Sequence, residues 1–119
     1  MKEDFIQSQI IKYHQRKAKG ALLWCCIRLK NEYSTAKDIS LGVVPGAADL
    51  MLTKGDGNFI WVEVKTPKGT QSERQINFEK NHVGIGNDYF IVRSVEDFIK
   101  VHDWYFFGIG EKPERDSKM

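Results

Sequence analysis

Cysteine is nearly absent from this chain: Cys25 and Cys26 are the only two, and they sit side by side in an apolar run. Vicinal cysteines bridge poorly, and the lack of a second pair argues against a structural zinc site. The pair reads as buried, reduced thiols. Long hydrophobic runs are missing as well. No stretch approaches the roughly 20 apolar residues of a membrane span, and Met1-Lys2-Glu3-Asp4-Phe5 lacks the apolar core of a signal peptide. The expectation is a soluble, cytoplasmic protein with no membrane partner. There is no internal repeat, low-complexity tract, Pro/Ser-rich linker or Walker motif. His14, His82 and His102 are scattered without metal-ligand spacing and read as structural or surface residues.

The 119 residues suffice for one packed core and not for two. With 41% hydrophobic and 12% aromatic residues the chain has the means to build it, which excludes a disordered tail. The net charge of +2 is unevenly spread. Residues 1–30 carry seven Lys/Arg against two acids, and residues 31–119 carry eleven against fourteen. A basic first segment can contact phosphates, but a solvated helix face accounts for it equally well. Charge leaves the partner open.

Ile6, Ile10, Tyr13 and Lys17 recur at helical spacing and predict a helix over 4–19, ended by Gly20. The apolar run 22–29 predicts a strand, and 30–46, with Asn31, Gly42, Pro45 and Gly46, a long functional or mobile loop. Strands near 47–53 and 58–66 join through Lys54-Gly55-Asp56-Gly57, whose glycines supply the positive φ of a hairpin turn. Thr70-Gln71-Ser72-Glu73 fits a capping box opening a helix over 71–82, stopped at Gly84. Gly84-Ile85-Gly86 reads as a C-cap and turn. A strand over 88–93 follows, then a helix capped at Ser94 and running to about 102. Trp104-Tyr105-Phe106-Phe107 is expected to pack on the core or on a partner. Residues 1–110 form one domain, and the charged tail 111–119 is expected to fray. Helix, strand, hairpin, helix, strand, helix is the order of an α/β fold with a mixed sheet.

Side chains alternate along a strand, so Glu63 and Lys65 share a face, while Ile60, Val62 and Val64 share the opposite, core-facing one. If the hairpin folds about Asp56, Asp49 lies opposite Glu63, since each is seven positions away. Directly opposed side chains have Cβ atoms roughly 4.5–5.5 Å apart. Two neighbouring carboxylates repel unless a cation lies between them, and hard oxygen ligands favour Mg²⁺, Mn²⁺ or Ca²⁺ over zinc. A lysine beside such a cation orients an attacking water or offsets transition-state charge, which suits phosphodiester hydrolysis. On spacing alone, a cross-strand salt bridge on a solvated sheet face explains these residues better. The small residues Gly46-Ala47-Ala48 before Asp49, and Pro67 and Gly69 after Lys65, leave room for a substrate and favour the site. Lys68, Arg74 and Lys80 flank it and can hold phosphates.

Three segments together carry a resemblance: Gly42-Val43-Val44-Pro45-Gly46-Ala47-Ala48-Asp49, Trp61-Val62-Glu63-Val64-Lys65-Thr66-Pro67-Lys68-Gly69, and Ser72-Glu73-Arg74-Gln75. They resemble the VRR-NUC family of the PD-(D/E)XK nuclease superfamily, in order and spacing, over about residues 3–93. The resemblance implies a restriction-endonuclease-like αβββαβ core, here with an extra C-terminal helix. It implies that Asp49, Glu63 and the Val64 carbonyl hold Mg²⁺ or Mn²⁺, that Lys65 is the catalytic lysine, and that Gln75 touches the site or substrate. The superfamily's first-helix acid is matched by Glu3, with Gln7 one turn later as the alternative; Asn31-Glu32 matches an Asn-containing segment only weakly. Gln7, Lys68, Ser72 and Arg74 are the candidate substrate-binding residues.

Stand-alone members of this kind resemble phage or bacterial dimeric resolvases of four-way DNA junctions. The implied protein is a homodimeric, metal-dependent DNA endonuclease of a bacterium or phage-infected cell. Two scissile phosphates on opposing strands need two active sites in fixed geometry. Phe59 and Trp61, or the 104–107 cluster, can supply the interface or serve as ordinary core. The alternatives are a flap or single-strand nuclease, a non-catalytic nucleic-acid-binding module, and an assembly protein acting through its aromatic tail.

Overall fold

The apolar periodicities divide the chain into elements whose hydrophobic sides must meet. How they meet is given by a computed structural model, which describes residues 2–17, 22–25, 46–55 and 57–118. In chain order the elements are α1 (Glu3–Lys17), β1 (Leu22–Cys25), β2 (Leu50–Thr53), β3 (Phe59–Val64), α2 (Glu73–Gly84), β4 (Asp88–Val92) and α3 (Val95–Phe107). This is the expected αβββαβ order with an added C-terminal helix. Cys26, the loop expected over 30–46 up to Pro45, Asn31-Glu32 and the hairpin apex Asp56 lie outside the described residues, as do the β1 side chains.

The sheet runs β1-β2-β3-β4, antiparallel in its first two pairings and parallel between β3 and β4. The parallel pair needs a crossover, and α2 provides it. One sheet face packs Leu50, Leu52, Ile60, Val62, Val64, Phe90 and Val92 against Ile6 and Ile10 of α1 and Phe98, Val101 and Tyr105 of α3. Burying each of the larger side chains contributes about 1.5–3 kcal/mol. The opposite face carries a smaller cluster, Ala48, Tyr89 and Ile91, closed by Phe78 of α2 with Trp61 and Val83 beside it. β3 is therefore covered on both faces, which is the feature that places its polar residues. None of the helices is long and apolar enough to cross a membrane, among the described residues.

Three local expectations are corrected. The capping box of α2 is made by Ser72 and Gln75, not by Thr70 and Glu73: Ser72 Oγ accepts from Gln75 N (3.2 Å), and Gln75 Oε1 accepts from Ser72 N (2.8 Å). Both pairs have the required spacing. Tertiary contacts decide between them, because the Gln71 amide is held outside the helix by Glu79 and Tyr89. Next, α3 continues through the aromatic cluster to Phe107 and stops where Gly108 adopts φ 65°, its N–H bonding the Trp104 carbonyl. Trp104 and Phe106 pack on the main core and Tyr105 is buried in it.

The third correction concerns the tail. Instead of fraying, it lies along β4: Ile91 N donates to Arg115 O (2.7 Å) and Ser117 N to Ile91 O (3.2 Å). Arg93, buried on β4's C-terminal side, pairs Nε and Nη2 with the two Asp116 oxygens at 3.1 and 3.2 Å. Its Nη1 donates to the carbonyls of Thr66 (2.9 Å) and Gly69 (2.6 Å). One guanidinium thus ties the tail to the loop that follows Lys65. Burial opposes the Asp116 charge, but the bonds from Arg93 and Lys118 N–H outweigh it and hold this carboxyl below its ordinary value. A carboxyl with a lowered folded pKa stabilises above its unfolded value of 3.8 and loses that contribution as pH falls further. Asp116→Ala is expected to cost about 2 kcal/mol at neutral pH. In thermal melts the gap from wild type should narrow below pH 3.8; an unchanged melting temperature at pH 7 would contradict the strap.

Candidate active site

β2 and β3 pair Leu50 with Val62 and Met51 with Trp61, the register expected for a hairpin centred on residue 56. One step beyond β2, Asp49 meets the end of β3, and its Oδ2 accepts the Val64 N–H at 2.7 Å. On the other side of the strand, Lys65 N donates to Val92 O of β4 at 2.9 Å. The backbone from 63 to 65 is therefore clamped by hydrogen bonds from both sides.

Gly46 explains how Asp49 is brought there. Its φ is 79°, and a Cβ at this position would overlap the backbone of Arg74 and Gln75. Only glycine lets the segment before Asp49 lie directly on the first turn of α2. The Ser72–Gln75 cap and Gly46 are consequently neighbours in space.

Glu63 is fully buried, Asp49 is 2% exposed and Lys65 7% exposed. A salt bridge on a solvated face is therefore not what these residues form. Glu63 Oε1 accepts the Tyr89 hydroxyl at 2.7 Å, while Oε2 is buried without a hydrogen-bond partner among the described residues. Burial pushes the Glu63 carboxyl up to about 7; the Tyr89 bond, the Lys65 charge and the Gln71 amide pull it down, and the Asp49 charge pushes it further up. Burial, reinforced by Glu63, raises Tyr89 far above its ordinary value, so it stays a donor. No hydrogen bond or ion pair engages the Lys65 ammonium among the described residues. No group of three His, Cys, Asp or Glu side chains suited to a metal occurs among them either. A cation here would rest on two carboxylates, backbone oxygen and water, which is how Mg²⁺ is commonly held. A buried carboxylate oxygen lacking a partner fits that role.

The structure thus brings Asp49, Glu63, Val64 and Lys65 together. Ser72 and Gln75 are joined to each other in the α2 cap, next to Gly46, so Gln75 spends its side-chain carbonyl on the helix. Lys68 and Arg74 are exposed. Glu3 and Gln7 lie one turn apart on α1, both half-buried beside the core-facing Ile6 and Ile10. Trp61 belongs to the small core: its ring packs on Phe78, and its indole N–H donates to His82 Nδ1 at 3.1 Å. Sequence reasoning missed Tyr89, Gln71 and Arg93. The available signal for Tyr89 was the strand-helix-strand pattern, which makes β4 a parallel neighbour of β3 and puts Tyr89 on Glu63's face.

No protein-family model and no curated protein matches this chain. One solved structure does, described as a VRR_NUC domain: it is 22% identical, with a TM-score of 0.62, over 87% of this chain and 97% of that one. The fold is therefore that of a VRR_NUC domain, as the three sequence segments led one to expect.

Two outcomes follow from this geometry. A carboxyl at about 7 in the folded chain, against an ordinary 4.5, keeps its proton longer when folded. Its stabilising contribution is complete below 4.5 and is lost as pH rises through 7, a loss of about 3 kcal/mol. Glu63→Gln keeps an acceptor for Tyr89 without the charge. In EDTA at pH 8 it should melt at a higher temperature than wild type, the difference closing near pH 5; a lower melting temperature at pH 8 would refute the burial cost. Separately, Gly46→Ala should destabilise by clearly more than the roughly 1–2 kcal/mol expected of Gly57→Ala, whose φ is 90° but whose Cβ meets nothing within 4 Å. Equal losses in urea titrations would show that the contact with α2 does not matter.

Proposed function

We propose that this chain is a Mg²⁺- or Mn²⁺-dependent endodeoxyribonuclease that hydrolyses phosphodiester bonds. The observation that carries this reading is the buried, partnerless Oε2 of Glu63, placed beside Asp49 and Lys65. Leaving such an oxygen dry and unpaired costs about 1–3 kcal/mol or more, so a ligand that completes it is the natural explanation. Asp49, Glu63 and the Val64 carbonyl would hold the cation. When bound, it supplies Lewis acidity and an activated water. Lys65, whose charge acts on Glu63 without an ion pair to it among the described residues, offsets negative charge that develops on the phosphate oxygens. Exposed Lys68 and Arg74 contribute phosphate contacts that align the strand. A non-catalytic binding module gains nothing from buried acids next to a polyanion.

The substrate we favour is branched DNA, a four-way junction cut by a homodimer. The described residues of one chain carry one such centre, and a junction presents two equivalent phosphates, which a twofold dimer addresses together. A flap or single-strand nuclease is the alternative within the same chemistry.

Asp49→Ala and Lys65→Ala should each lower cleavage by roughly 10²–10³-fold or more; Asp49→Asn, which keeps an acceptor for the Val64 N–H, should lose cleavage likewise while fold and metal-free DNA binding stay near wild type. Comparing linear, flapped, splayed and four-way DNA with Mg²⁺ and Mn²⁺ reads both activity and preference. Undiminished cleavage by either purified variant would defeat the assignment. Sedimentation at twice the 13.7 kDa chain mass is the expected state, and a monomer that cuts junctions symmetrically would remove the dimer.

A further inference from the structure

We infer that Tyr89, itself held by Gln71, is the positioning residue that sets the Glu63 carboxylate for a divalent cation; this rests on the reading of Asp49 and Glu63 as cation ligands. Tyr89 stands on β4 with its backbone opposite Trp61, and its hydroxyl reaches Glu63 Oε1 at 2.7 Å. The direction of this bond is set from behind. Gln71 Nε2, which can only donate, approaches the Tyr89 oxygen at 3.4 Å and Glu79 Oε1 at 3.0 Å. The hydroxyl's lone pair therefore faces Gln71 and its proton faces Glu63. Glu79 is anchored in turn by Arg115 of the docked tail at 3.3 Å.

A glutamate side chain has three rotatable bonds, so burial alone does not fix where its oxygens point. Pinning Oε1 does, and it leaves Oε2 as the oxygen without a protein partner. The same bond also limits the cost of keeping the carboxylate dry. The packing of this residue, 2% exposed against Phe78 and Ile91, is a task a phenylalanine ring performs equally well. The hydroxyl is what the metal site needs. Hydrogen bonds behind metal ligands typically govern affinity by roughly 10–100-fold.

The test is calorimetric titration of Mn²⁺ alone into the full chain, wild type against Tyr89→Phe, with cleavage measured across Mn²⁺ concentrations. Tyr89→Phe should bind Mn²⁺ roughly 10–100-fold more weakly, with metal-free DNA binding near wild type and the melting temperature in EDTA lowered by no more than the loss of one buried hydrogen bond accounts for. Raised Mn²⁺ should restore most of its turnover, a rescue that a merely structural defect would not show. Mn²⁺ affinity equal to wild type, or a cleavage defect that saturating Mn²⁺ leaves in place, would overturn the inference. Should Tyr89→Phe fail to fold, Gln71→Met removes the donor behind the hydroxyl. A smaller loss of Mn²⁺ affinity in the same direction then supports the inference, and no loss overturns it. Wild-type protein that binds no Mn²⁺ at all refutes the metal-nuclease reading and this inference with it, whereas wild-type binding matched by Tyr89→Phe refutes this inference alone.

Discussion

Holding the Glu63 carboxylate out of water, at the end of a strand covered on both faces, is the constraint around which the rest of the molecule is arranged. Val62 and Val64 on either side of it belong to the main core, so β3 cannot rotate to return the carboxylate to solvent. On its own face α2 closes over the sheet through Phe78, with Trp61 and His82 packed alongside. Ionised carboxylates are rarely buried without compensation because desolvation costs several kcal/mol. Here the compensation from protein is incomplete: Tyr89 satisfies one oxygen and Lys65 lends its charge, while Asp49 works the other way. One buried carboxylate oxygen, Oε2, is thereby left without a partner among the described residues.

The frame around that group is drawn from distant parts of the chain. Gly46 lays the segment before Asp49 against the first turn of α2, and Asp49 fastens the Val64 N–H. Arg93 gathers the carbonyls after Lys65 and joins them to Asp116 near the C-terminus. Arg115, the residue before, braces Glu79 and through it the Gln71–Tyr89 pair. The docked tail thus supports both sides of the candidate site, the loop after Lys65 and the hydrogen bonds behind Glu63. Charged hydrogen bonds of this kind are stronger than neutral ones and have stricter geometry, which suits a positioning task.

Some of this was legible beforehand, for a definite reason. Alternation along 58–66 assigns faces, and a two-strand hairpin obeys simple counting, so Asp49 opposite Glu63 could be read from spacing about Asp56. The cap at Ser94 was equally plain, since its side chain bonds Asp97 N within one turn. The cap of α2 was not, because Thr70 and Ser72 offer the same local pattern. The choice fell to Gln71's contacts with residues eight and eighteen positions away. The docked tail was misread for a related reason: its charges look solvated until Arg93 and Glu79 are placed beside them. The aromatic end of α3 was likewise cut short, because only Gly108's left-handed conformation marks the true stop.

The sequence by itself determined the element order, the hairpin register and the shared face of Glu63 and Lys65, all of which depend on periodicity and on interactions a few residues apart. It also carried the segments whose resemblance anticipated the fold. What only the tertiary structure decided is the environment of those residues. Whether Glu63 is solvated or dry depends on which helix lands on its face, and its hydrogen-bond partner comes from a strand 26 positions later. Burial and long-range hydrogen bonds are properties of packed neighbours, and no local pattern encodes them. Those packed neighbours turn three charged residues that spacing alone would assign to a surface salt bridge into a buried, incompletely satisfied site.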